Sequence, residues 1–187
     1  MQRIRFSFCL IMILIASNSM AQEEQGSSFK DKIFVGGGFG AGFGTYTYIN
    51  VSPIVGYRIT PRLSTGIRLM YQYTTYDYYL GGDKMTFKGN DFGAGLFARF
   101  MVKGPFFLQA EYEYLNYEDI YVDGSSIRST FDSFMAGAGI SQPIGGKAFF
   151  FLTALYNFSY NNINTINVYR VPYNSPWVIR LGITAGF

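Results

Sequence analysis

The chain has 187 residues, of which 14% are charged, and its formal net charge is only +3, so electrostatics gives no case for a nucleic acid or another strongly charged partner. Aromatic residues make up 19% of the chain, and together with 22 glycines they are unusual for a soluble globular domain of this size. No stretch after the first 21 residues approaches 18 consecutive apolar residues, which excludes a helical membrane protein.

The first residues are typical of an export signal. Arg3 and Arg5 form a basic start, residues 6–16 form an apolar run, and residues 19–21 read Ser-Met-Ala, a small-x-small cleavage site. The apolar run is about 11 residues long, whereas a helix that spans a bilayer needs about 20. We therefore predict a signal peptide over residues 1–21 that is removed on export, rather than a membrane anchor.

Removal of the signal changes the charge and the cysteine content. The formal net charge falls from +3 to +1 because both signal-peptide arginines are lost, and Cys9 is lost as well. No disulfide can then crosslink the exported chain. We expect residues 22–32 to be a short polar lead-in and residues 33–187 to form a single domain.

Eight segments alternate between an apolar face and a face of glycine, polar and charged residues, which is the period of a β-strand. In residues 177–187, for example, Trp177, Ile179 and Leu181 alternate with residues that include Arg180. The polar side of such a strand can hardly face the interior of a soluble domain, so lipid is the expected apolar partner. The eight segments are residues 33–44, 48–59, 63–79, 91–102, 106–116, 130–141, 148–161 and 177–187.

The connections between these segments alternate in length. Short ones are expected at residues 60–62, 103–105 and 142–147. Long polar ones are expected at residues 79–90, 117–129 and 162–176, and only the first hairpin, near residues 44–47, is short where a long loop is expected. Bacterial outer-membrane barrels show this alternation. We predict an all-β fold: an eight-stranded antiparallel transmembrane β-barrel with up-and-down order.

Closure of the barrel follows from the cost of unpaired backbone groups in hydrocarbon, which is several kcal/mol for each group. The last segment, which ends at Phe187, is therefore expected to pair with the first. An eight-stranded barrel is just wide enough for side chains to fill its interior.

Five charged residues lie on the polar faces. Buried charges are tolerated only when they are paired and hydrogen-bonded, so we expect an inward network of salt bridges that plugs the barrel. Loss of Arg68 is expected to leave an acid unpaired. The network is predicted to consist of Arg68, Arg99, Glu111, Glu113 and Arg180.

Aromatic residues cluster near the ends of the segments, as expected for rings that prefer the interface between lipid headgroups and acyl chains. At the opposite end Tyr57, Phe100, Phe106 and Phe187 would form a second girdle. The alternative is that all of these are core aromatics of a soluble β-sandwich, which would not explain the charges on the opposite faces. The girdle near the long loops is predicted to contain Tyr71, Tyr73, Tyr112, Tyr114, Tyr156, Tyr160 and Trp177.

The chain contains no histidine, the residue that most often transfers protons in enzymes and binds metals. Glu111 and Glu113 are spaced by about 6.8 Å along a strand, which suits a glycosidic carboxylate pair, but their arginine neighbours favour a structural network. A glycine-rich match over residues 36–44 lacks the helix that a dinucleotide loop needs. We expect no enzymatic activity and no catalytic, cofactor-binding or metal-binding residue.

Two loop features have alternative interpretations. Asp119, Asp123 and Asp132 lie near one loop, but their spacing matches no calcium loop and favours solvated surface. The last long loop is rich in asparagine and tyrosine, which suits contacts outside the cell, although asparagine also forms turns without any binding role.

These features together resemble the small outer-membrane β-barrel proteins of Gram-negative bacteria, of the OmpA-barrel and OmpX-like kind. The likeness covers essentially all of residues 22–187 and carries no functional motif. It implies a location in the bacterial outer membrane after export, contact with outer-membrane lipid, and a terminal strand that the barrel assembly machinery reads. The matching positions of that strand are Ile179, Leu181, Ile183, Ala185 and Phe187.

Three functions remain open at this point. The first is a non-enzymatic barrel with a structural or surface-interaction role, alone or with other outer-membrane proteins as a subunit of a larger complex. The second is a small-solute pore. The third is a barrel enzyme that modifies lipid or glycan. No contact with nucleic acid is expected.

Overall fold

A computed structural model of the protein describes residues 29–42, 46–121, 125–162, 168–170, 173 and 175–186. The predicted signal peptide and Phe187 lie outside these residues. Within the described part, no helix is long and apolar enough to span a membrane.

Nine β-strands and two short 3-10 turns account for most of the described residues. The turns are Phe29–Lys32, at the end of the predicted polar lead-in, and Tyr160–Asn162. The strands are β1 (Ile33–Gly42), β2 (Tyr46–Arg58), β3 (Leu63–Leu80), β4 (Asp83–Lys103), β5 (Phe106–Tyr121), β6 (Ser126–Gly145), β7 (Ala148–Asn157), β8 (Val168–Arg170) and β9 (Trp177–Ala185).

Eight of these strands close into an antiparallel barrel. Strands β1 to β7 pair each with the next, β7 pairs with β9, and β9 returns to β1. The closing contact joins Val35 to Ala185 and Gly37 to Ile183. The predicted fold class, an eight-stranded up-and-down barrel, is confirmed. The short strand β8 is additional to the eight.

Two connections predicted as long loops are largely strand. Pairing of β3 with β4 continues as far as Leu80 and Asp83, so residues 79–90 form the tip of a hairpin. Gly81 and Gly82 make its two-residue turn with φ of 62° and 97°, a backbone that glycine adopts without strain. The prediction of a polar loop here was wrong because this turn lets both strands continue. Similarly, β5 and β6 occupy most of residues 117–129.

The last long connection contains an unexpected strand. Strand β4 pairs with β5 only as far as Phe92 and Asn116, and beyond that point it follows β3. The exposed edge of β5 pairs instead with β8, at Ile120 and Tyr121. Residues 168–170 of this connection are therefore tied to β5 by main-chain pairing, which the composition of the connection did not predict.

The barrel interior holds two apolar clusters at different heights. The short-turn layer lies near the ends of the strands that short turns connect, and partly buried Met101 packs against it. It consists of Phe34, Ile54, Phe97, Phe107 and Phe151. The loop layer lies at the opposite end and consists of Leu115, Tyr117 and Phe131, with Met70 and Tyr173 packed against it. Polar and charged side chains occupy the space between the layers.

Candidate functional site

The charged residues between the two layers meet in the middle of the barrel. Arg68 Nε on β3 lies 3.0 Å from Glu111 Oε1 on β5. Arg180 Nη2 on β9 lies 3.0 Å from the same Glu111 oxygen and 2.8 Å from Glu113 Oε2. Both glutamates are 1% exposed. The structure thus brings four of the five predicted network residues together, and their ion pairs link strands β3, β5 and β9 across the interior.

Arg99, the fifth predicted residue, contacts no acid directly among the residues that are described. Its Nε and Nη2 donate hydrogen bonds to Gln109 Oε1 at 3.0 and 2.9 Å, and Gln109 Nε2 donates to Glu111 Oε2 at 3.0 Å. The guanidinium also lies over the rings of Phe107 and Phe151, with 4.3 and 4.9 Å to their centroids. Cation–π contact with the short-turn layer therefore replaces the expected salt bridge.

Loss of Arg68 was expected to leave an acid unpaired, but the geometry gives a different result. Glu111 accepts hydrogen bonds or ion pairs from Arg68, Arg180 and Gln109. Without Arg68 it would keep two of these three partners. Arg180 is the more central cation, because it pairs with both acids.

Two residues of the site were missed at the level of sequence. Gln109 was not included in the predicted network, although its position two residues before Glu111 places both on one face of the strand. Tyr173 was predicted only as part of the last long loop, whose asparagine and tyrosine suit contacts outside the cell. Its hydroxyl donates a hydrogen bond to Glu113, and its ring centroid lies 6.4 Å from that of Phe131. A residue of the last loop thus reaches the interior and covers the network.

A cavity of about 730 Å³ lies toward the loop end of the barrel. Its polar lining includes Asn50, Gln72, Asp91 and Arg180, and Tyr173 forms part of its wall. The short-turn layer contributes nothing to this lining. The cavity is therefore a recess above the charge network rather than a passage through the barrel.

The predicted girdle residues lie on the outside of the barrel, apart from Tyr160. Tyr71, Tyr73, Tyr112, Tyr114, Tyr156 and Trp177 are all exposed. Tyr156 and Trp177 form an edge-to-face pair with centroids 5.3 Å apart. Tyr160 is partly buried and belongs to a 3-10 turn, because β7 ends at Asn157 rather than at residue 161.

The predicted assembly positions of the last strand point outward. Ile179, Leu181, Ile183 and Ala185 are exposed, whereas Gly182 and Thr184, between them, are buried. The fifth position, Phe187, lies outside the described residues.

The weaker candidate motifs do not assemble into chemical sites. Asp119 is buried inside the barrel and accepts a hydrogen bond from Ser129, whereas Asp132 faces outward and accepts one from Tyr112. Asp123 lies outside the described residues. Residues 36–42 of the glycine-rich stretch belong to strand β1, which pairs with β2 along its length. In the part of the chain that is described, no group of three or more potential ligands is placed to hold a metal.

Comparison with known proteins gives similarity only among solved structures. No protein-family model matches the chain, and no curated protein matches it. The crystal structure of the N-terminal β-barrel domain of Pseudomonas aeruginosa OprF is 16% identical, with a TM-score of 0.46 over 83% of this chain and 96% of that one. A major outer membrane protein of Thermus thermophilus is 18% identical, with a TM-score of 0.44 over 83% and 99% of the two chains.

Proposed function

We propose that this protein is an integral outer-membrane β-barrel without enzymatic activity, with a structural or surface-interaction role. It acts either alone or as a subunit of a larger outer-membrane complex. The observation that carries the proposal is the belt of exposed apolar side chains around the barrel. A soluble monomer rarely exposes a contiguous apolar patch of more than a few hundred Å². Every barrel strand contributes to the belt, for example through Val35, Val55, Leu69, Leu96, Leu108, Phe134, Leu152 and Ile179.

The inside of the barrel supports the same assignment, because charged side chains lie in its middle, between the two apolar layers. Ion pairs and hydrogen-bonded amides occupy the interior while leucine, isoleucine and aromatic rings face outward. A closed sheet also satisfies the backbone groups that hydrocarbon would leave unpaired. Lipid is the environment that suits a barrel with an apolar outer face and a polar inner face.

The filled interior favours a plugged barrel over a pore. The short-turn layer places Phe34, Phe107 and Phe151 across one end, each at most 1% exposed. The charge network and the loop layer follow above it. An ion that crossed the barrel would have to displace the short-turn layer, the charge network and the loop layer.

The state of the interior acids favours a role without catalysis. Both glutamates are held in ion pairs with arginine, and Glu113 also accepts a hydrogen bond from Tyr173. A general acid or base needs access to a proton donor or acceptor on a substrate, and these carboxylates already use their oxygens internally.

A projecting hairpin supports the surface-interaction role. Pairing of β4 with β5 ends at Phe92, whereas pairing of β3 with β4 continues beyond it as far as Leu80 and Asp83. Tyr79 is 67% exposed and Met85 44%, while Lys84 and Asp77 form an ion pair of 3.0 Å beside them. Such a rigid arm with exposed apolar tips is suited to contact a neighbouring envelope protein.

Refolding of residues 22–187 into lipid vesicles tests the membrane assignment. We expect a β-type circular dichroism spectrum and a folded band that migrates differently on gels before and after boiling. In planar bilayers the folded barrel should show no discrete conductance steps. A chain that stays in aqueous solution without detergent would refute the membrane role, whereas steady open steps would favour the pore.

Two further measurements separate the remaining roles. Incubation of the refolded barrel with labelled lipopolysaccharide should give no product, and a product would favour an enzyme. Affinity capture from outer membranes should recover a partner of the intact protein but not of a variant that lacks residues 76–79 and 84–87. This shortened hairpin keeps its turn and its strand register. Equal recovery by both forms would remove the hairpin from the contact.

A further inference from the structure

The seam that closes the barrel is paired over a short distance. Strands β1 and β9 share only the register from Val35 and Ala185 to Gly37 and Ile183. On their other sides the same strands are paired along their length, β1 with β2 and β9 with β7. The pairing of β1 with β9 therefore ends at Gly37, although both strands continue beyond it toward the loop end.

Three glycines on the inward face of β1 show where the two strands separate. A Cβ atom at Gly36 would collide with the carbonyl oxygen of Ile183, and one at Gly38 would lie 2.6 Å from that of Leu181. A Cβ atom at Gly40 would meet only Asn50 and Tyr48 of β2, each at 3.8 Å. The backbone of β9 has thus moved away from β1 between Gly38 and Gly40.

The cavity at the loop end opens into this gap. Its lining combines inward polar residues with side chains from the outer surface of the barrel. Phe39 and Ala41 border it from β1, and Ile179 and Leu181 border it from β9. All four are exposed on the lipid-facing side. The recess is therefore continuous with the apolar belt, and an apolar chain in the bilayer has a path into the barrel.

A second observation points to a polar group at the inner end of this path. Arg180 lines the cavity, and its side chain is 11% exposed. An acceptor oxygen held in the cavity would be attracted by the charge of this guanidinium.

We propose that this cavity binds a single-chain amphiphile that enters from the bilayer through the β1–β9 gap. Its apolar chain would lie between Phe39 and Leu181, and an acceptor oxygen of its head would reach Arg180. The volume falls within the range of about 300–1,000 Å³ typical of small-ligand sites. The proposal rests on the membrane location proposed above.

The lining charges indicate the kind of head. Among the described residues, Asp91 and Arg180 are the charged ones in the lining, and they are of opposite sign. A zwitterionic head presents an anionic oxygen to the arginine and a cationic group to the carboxylate. A purely anionic head, such as that of a fatty acid, would meet Asp91 with repulsion.

The protein carries its own probe for this site, since Trp177 is its single tryptophan and lines the cavity. The experiment places the refolded barrel in lipid nanodiscs and adds lysophosphatidylcholine with a brominated chain, which quenches tryptophan. A bound amphiphile should give saturable quenching at low mole fraction. Quenching from the bulk bilayer should rise linearly without saturation. A brominated fatty acid should bind about ten-fold more weakly, a difference of 1.4 kcal/mol.

Two substitutions to leucine test whether the cavity is the site. Gly40→Leu places a side chain in open space inside the recess, where its Cβ has only ordinary contacts. It should abolish the saturable component. Ala98→Leu adds a comparable side chain on the outward face of β4 and should leave quenching unchanged.

A reversible lock tests the route of entry. The exported chain has no cysteine, so Phe39→Cys with Leu181→Cys introduces one pair across the gap, at positions that continue the observed register. The oxidised form should lose saturable quenching and the reduced form should regain it. Val35→Cys with Ala185→Cys crosslinks the part that is already paired and should have no effect.

Four outcomes would overturn the proposal. Linear quenching in a barrel that shows heat-dependent gel mobility would remove the binding site but keep the membrane role. Saturable quenching that survives both Gly40→Leu and the oxidised lock would place the amphiphile elsewhere. Equal affinity for the fatty acid would refute the zwitterionic head. Disulfide dimers of Phe39→Cys alone would show that a second copy occupies the gap. Failure to fold in lipid would instead refute the proposed function itself.

Discussion

Arg180 on β9 and Glu113 on β5 form an ion pair across the interior of the barrel, with 2.8 Å between Nη2 and Oε2. Strands β7 and β6 lie between β9 and β5 in the barrel wall, so this ion pair joins two strands that are not neighbours. The side chains are 11% and 1% exposed. Their attraction is therefore little screened by water or salt, and each charge depends on the other.

Replacement of Arg180 by leucine should destabilise the barrel strongly. Arg180→Leu leaves Glu113 without a cation and removes one of the two arginines at Glu111. Breaking a buried pair by removing one partner costs about 3–5 kcal/mol. Urea unfolding of the barrel in lipid vesicles measures this loss, and Arg62→Leu at an exposed turn serves as the control.

Replacement of Arg68 by leucine should cost clearly less than that of Arg180. After Arg68→Leu, Glu111 still pairs with Arg180 and still accepts from Gln109. The same urea unfolding compares the two variants directly. An equal or greater loss for Arg68→Leu would contradict the central place that the geometry gives to Arg180.

Removal of the Tyr173 hydroxyl should loosen the last loop. The hydroxyl donates to buried Glu113, and hydrogen bonds to charged groups contribute about 1.5–3 kcal/mol. We expect Tyr173→Phe to speed protease cleavage within residues 162–176 while the barrel stays folded. Tyr79→Phe, at an exposed hairpin tip, should leave cleavage unchanged. Identical cleavage rates for both variants would argue against an anchoring role of the hydroxyl.

The hairpin tip of β3 and β4 should respond to acid. The pKa of Asp77 lies below its ordinary value. The larger cause is a hydrogen bond of 2.7 Å that the Thr86 hydroxyl donates, and the next is a hydrogen bond from the Lys84 ammonium, which lies 3.0 Å away. A depressed carboxyl pKa contributes stability above the unfolded value, about pH 4, that is lost as pH falls through the folded value. Protection of the tip amides from hydrogen exchange, measured relative to the intrinsic rate at each pH, should therefore fall on acidification over that range.

Variants of Thr86 test the cause of this pKa shift. Thr86→Val removes the donor and should raise the pKa of Asp77 in an NMR titration, whereas Thr86→Ser keeps a hydroxyl and should preserve it. A smaller rise for Thr86→Val than for Lys84→Met would reverse the order of the two causes.

Glycines at the seam should differ in their tolerance of a methyl group. A Cβ atom at Gly182 would collide with the carbonyl oxygen of Gly37 and lie 2.8 Å from the Phe151 ring, so Gly182→Ala should impair closure. At Gly40 the nearest atoms are 3.8 Å away, so Gly40→Ala should fold normally. The fraction of heat-sensitive folded band measures both. Equal folded fractions would show that closure does not depend on the close approach at Gly182.

Much of this architecture is readable from the chain because alternation is local. In a strand, successive side chains point to opposite faces, so residues 177–187 indicate one lipid-facing and one inward side without any knowledge of their neighbours. The faces of Arg68, Glu111 and Arg180 follow from the same rule. Barrel closure follows from the cost of unpaired backbone in hydrocarbon.

The connections were predicted less well because turns depend on pairing. The polarity of residues 79–90 and 117–129 is typical of loops, yet cross-strand hydrogen bonds extend through most of both. Two glycines with positive φ were enough to replace a long loop by a hairpin. Composition alone does not distinguish these cases, because the partner strand supplies the stabilisation.

The sequence by itself thus determined an eight-stranded barrel with an apolar outside and a charged inside, because a period of two needs no tertiary information. Only the tertiary structure decided that Arg99 binds Gln109, that Tyr173 reaches Glu113 and that β1 leaves β9 above Gly37. Each of these depends on distances across the barrel that the local pattern of a strand does not contain. Such distances are set by the tilt of the eight strands and by the closure of the barrel, which no single segment encodes.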